Sequence, residues 1–376
     1  MCRLFAVTSE TPLSPMTAIH ALDVMKEGHD GSGVGLFLSG LGDPFDQLDG
    51  APILSGIFTS DGLKRLDYFM MDLGFITKYK LAIKVPKDPP PGIPKRDIYL
   101  VRAYEYPETW EGLDESEIHE RLMLIRLQMQ QMGKEKNDMI IFSFWPDVIM
   151  IKEVGDPIEM AEYLQLDRKE LQARIILAQG RQNTNYAINL YACHPFFLQG
   201  VVTMTNGENT AFIPIKEYLM SRGDPGYVGY QSDSEVFTHI LHFTLNHLEL
   251  GIEAFKHVIT PLRDEALDNH PSSVLLKELK HTCRRFIVDG PNCVIGCLPD
   301  KTLFLVQDRK KLRPGVVGGR PGLYAISSEM CGLDVAIGDR DKSKDFQPMY
   351  LDTAFIRADR KEVTVCRQTD QLPLLH

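Results

Sequence analysis

The sequence predicts a mixed α and β protein with a sizeable core. Three observations lead there. The chain has 376 residues, enough to bury a large interior. Hydrophobic residues make up 44% and charged residues 24%, a globular balance. Short apolar runs bounded by turn residues alternate with stretches of helical spacing. The formal net charge is −10, which repels phosphate backbones and disfavours a nucleic-acid partner. No apolar run reaches the ~20 residues that cross a bilayer, and no basic-then-apolar leader opens the chain. A cytoplasmic protein is expected. Seven cysteines (2, 193, 283, 293, 297, 331 and 366) are an odd number in a long chain, which favours free thiols.

The first strand is Leu4-Phe5-Ala6-Val7, directly after Cys2. If Met1 is trimmed, Cys2 carries a thiol and a free α-amine on one residue. That amine has a reference pKa near 7.7–8.0, so it can act as the thiol's general base. The plainer alternative is that Cys2 merely precedes a buried strand. Ser14-Pro15 reads as a helix start, with Gly28 as its stop. Gly28 to Gly35 carries four glycines and leads into the apolar run Val34 to Leu38. It lacks the Gly-Lys-Ser/Thr of a phosphate loop.

Five prolines between 86 and 94 read as a stiff loop within an insertion near 86–115. Ile98 to Val101 is strand-like. Ile118, Leu122, Ile125, Met129 and Met132 fall at helical spacing, with Gly133 as the expected stop. Asp138 to Val154 reads as two apolar strands joined near Trp145-Pro146-Asp147. A helical stretch over 157–174 leads to the strand from Arg174, which runs into the polar turn Arg181 to Asn185. Val201 to Met204 is a strand, and Thr205-Asn206-Gly207-Glu208-Asn209 a turn. Gln231 to Glu235 opens a helix with Phe237, Leu241, Leu245 and Leu248 on one face; Ser232 or Asp233 are its candidate caps. Strands are expected over Arg285 to Asp289, Cys293 to Leu298, Thr302 to Gln307 and Leu323 to Ser327. Cys283, Cys293 and Cys297 match neither zinc nor ferredoxin spacing, and no metal is expected.

Three polar segments stand with Cys2 as a possible constellation, and they suit a free amino acid. An α-carboxylate wants a bidentate guanidinium, which Arg181 offers. An α-ammonium wants a carboxylate, which Asp233 offers. Attack on a side-chain amide builds an oxyanion that wants two N–H donors, and the Asn206 amide and the Gly207 backbone offer both. At this point the chain resembles the class II glutamine amidotransferases. The likeness rests on Cys2, the Arg181…Asn183-Thr184-Asn185 turn, His194-Pro195-Phe196, Asn206-Gly207-Glu208-Asn209, Ser232-Asp233-Ser234, Asp308-Arg309…Arg313-Pro314 and Ser327-Ser328-Glu329, in that order. It is most similar to the glutaminase domain of glutamate synthases and to the related N-methylglutamate synthases.

The resemblance implies an α+β, four-layer αββα N-terminal-nucleophile hydrolase fold with two stacked antiparallel sheets, one domain over 2–376. It implies Cys2, Asn206 and Gly207 as catalytic residues and Arg181, Asp233 and Thr184 as glutamine-binding ones. Thr205 stands where His is usual in that family, and His29-Asp30-Gly31 where His-Arg-Gly is usual. It implies no cofactor in this chain. FMN and an iron–sulfur cluster are expected on a flavin-containing synthase subunit that receives the ammonia. A non-catalytic subunit of the same fold is the alternative.

Overall fold

The computed structural model describes residues 2–27, 30–48, 50–83, 85–182, 190–224 and 226–373. Sixteen strands are described, and their pairing is antiparallel throughout. The chain opens with β1 (Arg3–Leu13), α1 (Met16–Val24) and β2 (Val34–Leu41). Next come β3 (Pro52–Phe58), α2 (Ser60–Asp72), β4 (Ile76–Ile83), β5 (Ile98–Glu105), α3 (Glu115–Lys136) and β6 (Met139–Pro146). After them follow β7 (Val148–Glu153), α4 (Pro157–Tyr163), β8 (Ala173–Gly180), β9 (Phe196–Leu198) and β10 (Val201–Gly207). The helical segment holds α5 (Phe212–Ser221), α6 (Glu235–Asn246), α7 (Ile252–Ile259), α8 (Asp264–Asp268) and α9 (Ser273–Thr282). The chain then closes with β11 (Asn292–Cys297), β12 (Leu303–Gln307), β13 (Val316–Arg320), β14 (Leu323–Ser327), α10 (Met330–Ala336), β15 (Thr353–Ile356) and β16 (Val363–Cys366).

Two six-stranded sheets face each other. The first has the order β13-β14-β1-β8-β2-β7 and the second β16-β15-β12-β11-β10-β9. β1 packs over β10 and β11, so the sheets stack. Helices α1 and α10 cover the outer face of the first sheet, and α6 and α7 that of the second. The result is the expected four-layer αββα arrangement. Its interior is apolar because each central strand is buried on both faces: Leu4, Phe5, Ala6 and Val7 are all fully inaccessible. No helix among the described residues is long and apolar enough to cross a membrane.

A third sheet was not anticipated. Residues 52–146 form a β-α-β-β-α-β unit with sheet order β4-β5-β3-β6. That order is the split β-α-β plait of ferredoxin-like units. It is inserted between β2 and β7 of the first sheet. Ser55 Oγ ties it down, accepting from Met150 N–H at 3.1 Å and lying 2.6 Å from Ser143 Oγ. The proline-rich stretch joins β4 to β5. Its end is pinned by a bidentate pair from Arg96 to the buried Glu153, both contacts 2.9 Å.

Four local readings change. α3 runs past Gly133 to Lys136, because Asn137 in the left-handed region supplies the stop instead. The strands read as neighbours across Trp145-Pro146-Asp147 lie in different sheets. Residues 157–174 hold a two-turn helix, a single turn at Lys169–Leu171 and the start of β8. Arg284–Phe286 is a single 3₁₀ turn after α9, not a strand. The next backbone bond there goes to a helix end, Val288 N–H to the Ile259 carbonyl at 2.9 Å, so no strand partner holds the segment extended.

Candidate active site

Strand register decides which side chains meet. In the β1–β8 pair Arg3 stands opposite Gly180 and Leu4 opposite Gln179. One step further along, Cys2 falls opposite Arg181, whose N–H donates to the Gly33 carbonyl at 2.7 Å. The Gln179 side chain faces the second sheet, since its Oε1 accepts from His194 N–H at 3.0 Å. Gly35, opposite Gln179 on β2, faces the same way: a Cβ there would lie 1.7 Å from the His194 carbonyl oxygen. Side chains alternate along a strand with period two. Cys2 and Arg181 therefore share the face of Leu4 and Gln179, toward the second sheet.

The second sheet answers from β10. Thr203 and Thr205 point outward to α6 and its start, their hydroxyls 2.7 Å from Thr238 Oγ1 and 2.6 Å from Ser234 Oγ. Val202 and Met204 point inward, into the core shared with the first sheet. Asn206 is next on that inward face and is 2% exposed. Asn206 and Gly207 are thus the last residues of a strand rather than a turn, because β11 pairs with both, opposite Cys293 and Asn292.

The ladder also fixes where the Gly207 N–H points. Glu208 N–H donates to the Pro291 carbonyl at 3.0 Å, so 208 and 291 are a hydrogen-bonded pair. Such pairs alternate along an antiparallel ladder, which makes 207 and 292 a non-bonded pair. The Gly207 N–H therefore points away from β11, to the edge where Thr205 N–H meets His194 Nδ1 at 3.1 Å. β9 pairs only with 201–203, so among the described strands none covers Gly207 on that edge. β10 thus ends on an inward-facing Asn206 and a Gly207 N–H that no described strand covers.

Gly207 has a second reason to be glycine. A Cβ would fall 2.2 Å from the Pro291 carbonyl and 2.8 Å from Asn292 Cα, both backbone. Gly207→Ala is expected to push β10 from β11 and cost roughly 1–3 kcal/mol, in the range of overpacked cores. A urea midpoint measured against the parent checks this; an unchanged midpoint would contradict the packing described.

Asp233 precedes α6 but does not cap it. Its Oδ2 accepts from Asn209 N–H at 2.8 Å, and Oδ1 from the hydroxyls of Ser234 and Ser232 at 3.2 and 3.3 Å. The side chain is buried, and burial raises its pKa against those three hydrogen bonds. Asp233 and Arg181 both act electrostatically on the Cys2 thiol.

Cys2 is half-buried, with Sγ 3.8 Å from the Gln182 carbonyl. Burial pushes its thiol above the ordinary cysteine range, while the positive chain terminus and Arg181 pull the other way. A thiol held above that range is not a resting thiolate, and to act as a nucleophile it would need a base. His194 cannot serve. Burial, then Arg181 and Lys152, hold it well below the ordinary histidine value, and its Nδ1 lone pair already takes the Thr205 N–H. The Thr205 side chain faces α6, so the replacement of His by Thr there does not alter the face that carries Asn206.

Thr184, with Asn183 and Asn185, lies outside the described residues, as does His29. Sequence reasoning missed Gln179, which ties the two sheets together, and Lys152. Lys152 is buried, donates to the Cys193 carbonyl at 2.6 Å, and is lowered to about 8 by burial. Its signal was a single lysine inside an apolar strand. Among the described residues no group of three or more His, Cys, Asp or Glu is placed to hold a metal.

No family model matches the chain. An uncharacterised protein of Archaeoglobus fulgidus is 22% identical over 375 residues, 99% of this chain and 96% of that protein. A putative glutamine amidotransferase of Methanothermobacter thermautotrophicus is 24% identical over 200 residues, 52% of this chain and 55% of that protein. Among solved structures, the chain is similar to the glutamine phosphoribosylpyrophosphate amidotransferase of B. subtilis, complexed with ADP and GMP. The TM-score is 0.47 at 11% identity, over 99% of this chain and 50% of that one. It is also similar to a glutamine aminotransferase class-II domain protein of Silicibacter pomeroyi, with a TM-score of 0.35 at 14% identity over 60% and 86% of the two chains. The chain spans half the length of the B. subtilis protein.

Proposed function

We propose that this protein is a class II glutamine amidotransferase subunit that hydrolyses glutamine to glutamate and ammonia. The observation that supports the reading is strand register: the β1–β8 pairing, continued one residue beyond Arg3 and Gly180, turns Cys2 and Arg181 toward the inter-sheet side that Asn206 faces from β10. With Met1 removed, the Cys2 amine takes the thiol proton and the thiolate sulfur attacks the side-chain amide carbon. The oxyanion that forms accepts from Asn206 Nδ2 and Gly207 N–H. Collapse breaks the C–N bond, and the protonated amine returns its proton to the departing ammonia. Water then attacks the thioester, releasing glutamate and the thiol. Arg181 holds the substrate carboxylate and Asp233 its ammonium; Thr184 is assigned to the same glutamine by the resemblance alone. The ammonia acceptor site is assigned to a separate flavin-bearing subunit of glutamate synthase or N-methylglutamate synthase type, carrying FMN and an iron–sulfur cluster.

Ammonia and glutamate release by the isolated full chain, with intact mass to verify loss of Met1, tests the glutaminase part. Retained Met1 together with no turnover would favour a non-catalytic subunit. Co-purification of a protein with flavin absorbance tests the partner; its absence from the native complex would sink that assignment.

Asp233 gives a pH signature. It must be ionised to hold an ammonium, yet burial raises its pKa above 3.8. Acidification should therefore raise KM for glutamine at a higher pH than an ordinary carboxylate would. The sign for stability is opposite. The folded state holds the Asp233 proton more tightly than the unfolded chain does. Its contribution is fully present below the unfolded pKa and is lost as pH rises through the folded one. Asp233→Asn is expected to abolish that pH dependence, weaken glutamine binding and leave stability at neutral pH equal or higher. Steady-state kinetics and thermal melts at several pH values read both effects.

A further inference from the structure

Arg126 is the largest fully buried side chain among the described residues. It sits on α3, within the inserted plait, on the buried face with Leu122, Met129 and Gly133. Among the described residues no carboxylate forms an ion pair with it. Glu235 acts on it electrostatically without a direct ion pair. A buried guanidinium held that way is still costly, and a methionine would fill that helix face without the penalty. Arg126 joins β6 of the plait to a loop. Nη1 donates to the Tyr227 carbonyl, Nη2 donates to the Ile141 carbonyl at 3.1 Å, and Cζ lies 3.8 Å from the centre of the Tyr227 ring. The same loop is gripped from the other end by the buried Glu235, which accepts from Val228 N–H at 2.9 Å and Tyr230 N–H at 2.7 Å. The chain then runs straight into Ser232 and Asp233, and Asp233 holds Asn209 at the exit of β10.

We propose that Arg126 is a positioning residue for the substrate: through Tyr227 the inserted plait sets where Asp233 stands, and so how tightly the substrate ammonium is held. The plait is then part of the glutamine site without touching glutamine. This rests on the role given to Asp233 above.

The test uses the full chain with Arg126→Met, Arg126→Lys and Tyr227→Leu. Three quantities are read: KM and kcat for glutamine, the rate of Cys2 alkylation by iodoacetamide, and the glutamine concentration that protects Cys2 from it. Arg126→Met is expected to raise KM and the protecting concentration about tenfold or more, the effect of one lost charge-assisted contact. kcat should stay within about threefold, and unprotected alkylation should be unchanged. Arg126→Lys should recover part of the loss, and Tyr227→Leu should shift KM in the same direction. An Arg126→Met enzyme with parental KM would overturn the proposal, leaving a packing anchor. So would a KM rise accompanied by altered unprotected alkylation, which reports general loosening. If Arg126→Met does not fold, the Arg126→Lys and Tyr227→Leu pair decides by the same criteria. Failure of glutamine to protect Cys2 in the parent would overturn this proposal and the glutaminase reading together; protection in the parent with no shift in the variants overturns this one alone.

Discussion

Cys2→Ala is expected to bring glutamine hydrolysis down by about four orders of magnitude or to background, since in the proposed mechanism Cys2 forms the thioester. The fold should survive. Cys2 precedes β1, and the first strand's own anchors do not involve its sulfur: Leu4 N–H donates to Ser328 Oγ at 2.8 Å, and Ser328 N–H to the Leu4 carbonyl at 2.8 Å. A companion measurement separates the two halves of the nucleophile. An N-terminal extension converts the α-amine into an amide and leaves the thiol in place. The thiol is held above its ordinary range and His194 has no free Nδ1 lone pair, so the proposed mechanism leaves the α-amine as the base. The extended chain should be as inactive as Cys2→Ala while still reacting with a thiol reagent. Ammonia release with full activity from either protein would contradict the mechanism.

Asn206→Ala should lower kcat by about 10²–10³, the usual effect of deleting one oxyanion donor, with a much smaller change in KM. The argument is geometric. Asn206 is the last inward-facing residue of β10, and it shares its end of the strand with an N–H that the β10–β11 ladder leaves unused. In the proposed mechanism the substitution removes a donor that is engaged only once charge has formed on the oxygen. Asn206→Asp offers a sharper control. It keeps the size of the side chain but replaces the amide donor with a carboxylate, so it should be at least as damaging. Single-turnover acylation of Cys2, followed by mass, separates this effect from product release. A parental acylation rate in Asn206→Ala would remove Asn206 from the oxyanion site.

The sequence was most legible where one residue type has one chemical use. Cys2 next to the initiator, a lone arginine after a buried strand and an Asp between two serines could be assigned chemistry before any geometry. It was least legible where a local signal competed with a partner far along the chain. Asn206-Gly207 is a strong turn signal by itself, yet pairing with residues 292 and 293 keeps both on a strand. Gly133 looks like a helix stop, but Asn137 adopts the left-handed conformation four residues later and ends α3 there. The serine and aspartate before α6 look like caps, whereas the Asp233 carboxylate turns back to Asn209. Arg126 was passed over because the spacing of α3 describes an apolar face, and one charge within it reads as noise until its partner on the 226–231 loop is known.

What the amino-acid sequence determined by itself was the inventory: an acidic α and β chain, the identities of the reactive and charge-bearing groups, and the class of small zwitterion they suit. The tertiary structure decided which way those groups face. Orientation on a strand alternates every residue, so it depends on register, and register here is set between segments 160 to 177 positions apart in the β1–β8 pair. The inserted plait was decided the same way, since its sheet order exists only once non-neighbouring strands have paired.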